Sequence, residues 1–214
     1  MLILLSVHFV FAQNIEFKSS NFKSDKEGLK QALKNIKLAD EFLQKGNNAI
    51  LARNDAINFF EQALFHYLPA NRFNPNNIEL NVKIGNAYLY SNQKYLAYDF
   101  LQKAISLDEK EQEADPNIHF YYAMSLQLEG KFSDAIHQFS IFKKRQKDKK
   151  FEPLADFYKN HIQECESAMK LSQNPQKVWI DNLALNSESD DWSPCLSADG
   201  ELLIFTSNRV NEHL

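Results

Sequence analysis

The sequence predicts a mainly α protein: about seven helices, paired as antiparallel hairpins and stacked into an α-α superhelix, followed by a short antiparallel β segment. Three observations predict this. Five Gly and six Pro in 214 residues are too few turn-formers for a many-stranded fold and leave room for long uninterrupted helices. Apolar residues recur at three- and four-residue steps through most of 25–172, the period of one buried helical face. Small residues fall at matching places in successive helix pairs, Gly85 answering Ala123 and Ala97 answering Ala135. Helices cross closely only where a side chain is nearly absent, so this self-similarity marks a stacked array in which each hairpin covers its neighbour's apolar face.

The elements follow in order. Met1 to Ala12 is an apolar stretch ending Val10-Phe11-Ala12 before Gln13, the small-residue pattern of a signal-peptidase cut. Export is the expectation. The stretch is shorter than the roughly 20 apolar residues of a membrane-spanning helix. Residues 13–24 read as a polar linker, after which Asp25 caps a helix carrying Leu29, Leu33, Ile36, Ala39 and Leu43 or Phe42. A break is expected at Gly46-Asn47-Asn48. A second helix then carries Ala52, Ala56, Phe59, Phe60, Ala63 and Leu64, and stops before Pro69.

The next pair places Leu80, Ile84, Gly85 and Tyr88 opposite Ala97, Leu101, Ala104 and Ile105. The third places Phe120, Ala123, Leu126 and Gly130 opposite Ala135, Phe139 and Phe142. A seventh helix, Pro153 to Leu171, presents Leu154, Phe157, Tyr158, Ile162, Cys165 and Met169 as an end cap and closes at Asn174-Pro175. Over 173–214 the pattern changes. Val178-Trp179-Ile180 reads as a strand, and Trp192 to Leu196 and Leu202 to Ser207 as two more, joined across Ser197-Ala198-Asp199-Gly200. So few strands bury little, and residues 178–214 are expected to be mobile or loosely docked.

The helical pattern runs small residue, aromatic or Leu three on, Gly at the turn, Ala five later, then aromatic and Ala. It resembles the tetratricopeptide repeat, best in Ile78 to Glu111 and Asn117 to Lys150. The pair Asp25 to Leu68 departs from it, with Gly46 and Ala56 too far apart, and the usual early Trp is absent. The segment Asp191-Trp192-Ser193-Pro194-Cys195-Leu196-Ser197-Ala198-Asp199-Gly200, with Phe205-Thr206-Ser207-Asn208-Arg209, resembles the WD-repeat-like blade of TolB-type propellers. The β segment is then the first blade of an incomplete β-propeller. The whole order resembles Bacteroidota envelope proteins of the OmpA family that combine such repeats with a propeller. That resemblance implies a non-enzymatic protein-binding scaffold in the periplasm or at the outer membrane, some relatives belonging to secretion or gliding machinery. It assigns peptidoglycan binding to a C-terminal domain that this sequence does not contain. An alternative is a fragment of a propeller hydrolase or ligand-binding propeller in which the helices are a spacer.

Chemistry finds little support in the residues. With 24 Lys and Arg against 28 Asp and Glu, a net charge of −4, the chain lacks the positive excess that phosphate backbones attract, so nucleic acid is not an expected partner. The basic run Lys143, Lys144, Arg145, Lys147, Lys149, Lys150 reads as a solvated helix end, where cations are favoured. Cys165 and Cys195 read as buried free thiols. Ser193 and Cys195 near Asp190, Asp191 and Asp199 could mimic a nucleophile with acidic neighbours, but a blade's turn accounts for them. Asp190-Asp191 supplies too few oxygens for calcium. The six His, at 8, 66, 119, 137, 161 and 213, form no metal-ligand pair at helical spacing, and no Gly-rich phosphate loop occurs. No metal and no cofactor is expected.

Binding remains. In a tetratricopeptide array the first helix of each pair lines the concave side, and the resemblance points to Glu79, Val82, Asn86, Tyr90, Asn117, Phe120, Met124 and Gln127 as partner-binding residues. Their aromatic, thioether and amide groups suit an extended or helical peptide. Equally open is a groove partly covered by the chain's own Ile15, Phe17 and Phe22.

Overall fold

Why the helices start and stop where they do is visible in a computed structural model, which describes residues 13–108, 115–146, 155–173, 175, 177–179 and 181–210. The segment 1–12, the end of the basic run, Leu154, Ile180 and His213 lie outside those residues. The chain divides into two units, Met1–Gln173 and Asn174–Leu214, each taken by itself.

Among the described residues the first unit holds seven α-helices: α1 Lys26–Leu51, α2 Ile57–Phe73, α3 Ile78–Leu89, α4 Ala97–Leu107, α5 Asn117–Leu128, α6 Phe132–Arg145 and α7 Ala155–Gln173. A 3-10 turn, Lys94–Leu96, leads into α4. The mainly α fold class expected from the sequence is the one observed. Consecutive helices pack pairwise, α1 on α2, α3 on α4 and α5 on α6, and α3 also packs on α5. The offset between the last two pairs is constant: Gly85, Ala97, Leu101 and Ala104 each sit 38 residues before Ala123, Ala135, Phe139 and Phe142, and Ala97, Leu101 and Ala104 and their three counterparts are buried.

Local chemistry sets several ends. The Asp25 carboxylate accepts from Gly28 N at 2.8 Å, satisfying one of the amides that a helix start leaves without partners. Asn77 does the same for Leu80 N at 2.9 Å. Gly130 takes φ 71° between α5 and α6, a left-handed conformation that a Cβ disfavours.

The first hairpin corrects the sequence reading. Helix α1 does not break at Gly46 but runs to Leu51, and Ala52 caps its end exposed. Gly46 lies on the buried face, where an added Cβ would come within 2.9–3.1 Å of the Phe60 ring. It is a point of close helix approach. The turn comes later, where Arg53 takes φ 56° and Asp55 accepts from Ile57 N at 3.0 Å. Pro69 likewise does not stop α2 but sits inside it. The carbonyl it leaves without a donor belongs to Phe65, whose side chain is 70% exposed, so it lies on the wet face, where the loss is mild. Leu33, expected in the core, is exposed and lines a surface recess with Phe17 and Ile36, while Ala32 takes the buried position. Ile105 packs only partly buried against the small cluster of Ile78, Ala104, Leu107 and Ile118.

The core is a series of linked clusters. The first joins α1 to α4 through Ala39, Phe60, Tyr67, Ile84, Ala97 and Leu101. The second joins α5, α6 and α7 through Phe120, Ala123, Phe139, Phe142 and Cys165. Tyr121, Tyr122 and Met124 pack against both. In α7 Cys165 is buried as expected, Tyr158 and Ile162 are partly buried, and Phe157 and Met169 are exposed. The basic residues Lys143, Lys144 and Arg145 occupy the last turn of α6, complementing its dipole.

The second unit holds one antiparallel pair, β1 Asp191–Leu196 and β2 Leu203–Ser207, with Asp191 opposite Ser207 and Leu196 opposite Leu203. A bulge falls between Trp192 and Cys195, where Ser193 takes φ 56°; bulges of this kind bend a strand and sharpen its twist. In the turn Ser197 N donates to Leu202 O at 2.8 Å, and Asp199 accepts from the Ser197 hydroxyl and from Glu201 N. These bonds hold the Asp199 carboxyl below the usual carboxylate range, the Ser197 hydroxyl first. The hydroxyl of Ser207 and then the Arg209 guanidinium do the same for Asp191. Val178 and Trp179 are exposed and carry no regular structure, contrary to the strand expected there. Cys195 is exposed rather than buried; a lone two-stranded ladder has too little cover to bury both faces.

Candidate functional site

The first helices of successive hairpins wall two adjoining cavities that share Asn86, Asn117 and Tyr121. The larger, about 510 Å³, is lined by Glu79, Val82 and Lys83 of α3, by Asp115 before α5, and by Asn14 and Glu16 of the N-terminal segment. The smaller, about 340 Å³, is lined by Asn47, Ile50 and Leu51 of α1, Tyr90, Phe120 and Phe142, and Phe157 of α7. Each lies within the range of ligand-binding pockets, about 300–1,000 Å³.

Six of the eight expected residues therefore reach these walls: Glu79, Val82, Asn86, Tyr90, Asn117 and Phe120. Phe120 is 9% exposed and belongs chiefly to the core, ringed by Phe139, Phe142 and Phe157 at 5.1–5.6 Å. Met124 packs into the core clusters and lines neither cavity. Gln127 faces α7, where its amide donates to Glu164 Oε2 at 2.9 Å and its carbonyl meets His161 Nδ1 at 2.9 Å. The contribution of α1 was not legible in the sequence, because a break expected at Gly46-Asn47-Asn48 ended the first helix before Ile50 and Leu51.

The N-terminal segment seals one end of the groove. Ile15 N donates to Asn76 O at 2.7 Å, Ile15 O accepts from the amides of Asn74 and Asn77, and Asn14 Oδ1 caps Ile78 N at 3.0 Å. Phe17 and Phe22 stack beside Phe73. The segment covers the start of α3, and among the described residues both cavities stay open beyond it.

Charge near the larger cavity is organised around Lys83, whose ammonium lies 2.9 Å from Asp40 and 2.8 Å from Glu79. Burial alone would lower its pKa, but the hydrogen bonds to these two carboxylates outweigh burial and hold it above the usual lysine value. Asp40 also accepts from the buried Tyr67 hydroxyl at 2.5 Å. Burial and that bond keep the phenol protonated far above its ordinary range. Burial pushes Tyr121 up to about 12, with Tyr90 and Asp115 adding to it. No known family model and no curated protein sequence matches the chain.

Among the described residues of the helical unit, two buried side-chain polar atoms lack a hydrogen-bond partner. Asn86 Oδ1 is one, on a residue 6% exposed. His161 Nε2 is the other, among the rings of Phe120, Phe139 and Phe157 at 4.6–5.9 Å. Desolvation lowers the His161 pKa below the ordinary 6.5 despite the nearby Glu164. The unfolded chain therefore takes up the proton first, so this stabilisation is complete above about pH 6.5 and is lost as the pH falls through that value. Denaturant midpoints are expected to drop between about pH 6.5 and 5 in the native chain and to drop less in His161→Phe; equal drops would exclude His161 as the cause.

A second polar chain was invisible in the sequence. Arg145 Nη1 donates to His119 Nε2 at 2.7 Å, so the ring carries its proton on Nδ1 and gives it to Gln138 Oε1 at 2.7 Å. Arg145 also lies 4.0 Å from the buried Asp108. This chain ties the ends of α4, α5 and α6 together. Among the described residues no three His, Cys, Asp or Glu side chains converge as metal ligands would, and no helix is long and apolar enough to cross a membrane.

Proposed function

We propose that this chain is a non-enzymatic scaffold of the bacterial cell envelope, exported, whose tetratricopeptide-type array holds a partner protein by an extended peptide segment. The groove carries this reading. The cavities are built from α1, α3, α5, α6, α7 and the N-terminal segment, are lined by amide, aromatic and carboxylate groups, and expose Leu51 at 83% and Phe157 at 46%. Exposed apolar side chains rimmed by polar groups are the usual ground for protein contacts. The apolar segment before Gln13 supports export. The hairpin 191–207, with its Ser-Pro entry and Asp-Gly turn, supports a propeller blade, and with it membership of an outer-membrane-associated, secretion or gliding assembly.

Capture of partners from envelope extract tests the proposal. Phe120 is unsuitable for substitution because its loss would unsettle the core, whereas Leu51 and Phe157 stand in the groove with exposed faces. Leu51→Asp is expected to cut capture strongly while the helical circular dichroism and melting temperature stay near the native values, since this side chain is 83% exposed. An unchanged set of captured proteins would count decisively against the groove.

A further inference from the structure

We propose that the groove selects an extended peptide carrying a lysine or arginine side chain near an apolar or aromatic one. This rests on the reading of the groove as a peptide-binding surface and adds the chemistry of the ligand. The first observation is the continuity of the groove. Asn86, Asn117 and Tyr121 line both cavities at their junction, so a ligand in one runs on into the other, as an extended peptide does.

The second observation is charge. Among the described residues the larger cavity is lined by the carboxylates of Glu16, Glu79 and Asp115 and by the ammonium of Lys83; Lys18 pairs with Glu16, and Lys83 is shared by Glu79 and Asp40 at 2.8 and 2.9 Å, so four carboxylates face two ammonium groups. Its wall is therefore net negative, and a cationic side chain is the complement. Among the described residues the smaller cavity is lined by no charged side chain. Ile50, Leu51, Tyr90, Phe120, Phe142 and Phe157 offer apolar and aromatic surface instead, where an aromatic side chain buries area at little entropic cost. Because Asn86, Asn117 and Tyr121 belong to both cavities, neighbouring side chains of one peptide reach both.

Fluorescence anisotropy on the full chain tests this, with dye-labelled Gly/Ser peptides that carry a phenylalanine near arginine, serine or glutamate. The arginine–phenylalanine peptide is expected to bind about tenfold more tightly than the glutamate–phenylalanine one, with the difference shrinking at high salt. Glu79→Lys, on an exposed side chain, should erase most of that preference without changing the fold. Leu51→Ser, at a side chain 83% exposed, should weaken the arginine and serine peptides alike, since it removes apolar wall that the phenylalanine covers, and should leave the melting temperature near the native value. A glutamate peptide binding as tightly as the arginine peptide would overturn the charge selection and leave the groove a peptide site. Arginine-peptide binding indifferent to both substitutions would place it elsewhere and overturn the proposal. Failure of all three peptides to bind would overturn both the selectivity and the reading beneath it.

Discussion

Phe139→Ala is expected to cost about 3–5 kcal/mol, the range for emptying a fully buried aromatic site. Phe139 is 0% exposed and meets side chains from two other helices: Phe120 of α5 at 5.5 Å, and Tyr158 and His161 of α7 at 6.1 and 5.4 Å. Its neighbours are large, flat and held by their own partners, so the hole closes only in part. The loss should also be local. In a stacked array each hairpin depends on its nearest neighbours, and α5–α7 form a cluster distinct from that of α1–α4. Denaturant unfolding followed by amide exchange should show α5–α7 opening first, while α1–α4 keep their protection. A uniform loss of protection across all seven helices would show that the unit unfolds as one block.

The sequence was most informative where one local rule and one tertiary demand agreed. Asp25 both starts a helix by its carboxylate and precedes the stripe that α2 covers. Ala97, Leu101 and Ala104 keep helical spacing and face α3. The Ser197–Gly200 turn joins the strands expected on either side of it. Legibility failed where tertiary contact overrode punctuation. Gly46 reads as a stop, yet its missing side chain makes room for the Phe60 ring, and Pro69 reads as a stop, yet α2 absorbs it on its wet face. The groove suffered from the same misreading, since α1 ends five residues later than expected and brings Ile50 and Leu51 to the site. Gln127 was misplaced for another reason. Its position on α5 fits a groove face, but His161 and Glu164 lie 34 and 37 residues away and claim its amide. No local pattern announces such pairings, nor the one between Arg145 and His119. Asn86 was nameable as a wall residue; that its carbonyl lacks a partner depends on every neighbour's position.

Gly85→Leu is expected to destabilise the fold by about 3 kcal/mol, set against a helix-propensity gain of under about 1 kcal/mol from removing glycine. A Cβ added at position 85 would overlap Leu101 Cγ and approach its Cδ2 to 2.7 Å and its Cδ1 to 3.0 Å. Since the overlap begins at Cγ, rotating the Leu101 tip cannot relieve it, and α3 and α4 must move apart. Leu101→Ala alone, at a fully buried site, should cost about 2–5 kcal/mol by leaving a cavity. Together the two should cost less than their sum by about 1–3 kcal/mol, because the new side chain fills the space the other vacates. Simple additivity would mean the helices do not interlock at this point. The pair displaced by 38 residues, Ala123 with Phe139, solves the same crossing with both partners enlarged, which requires a wider separation of α5 from α6. Gly85→Ala with Leu101→Phe imposes that solution on α3 and α4. It should recover most of the stability lost in Gly85→Leu only if the hairpins can each set their own spacing, and melting of the double variant measures that directly.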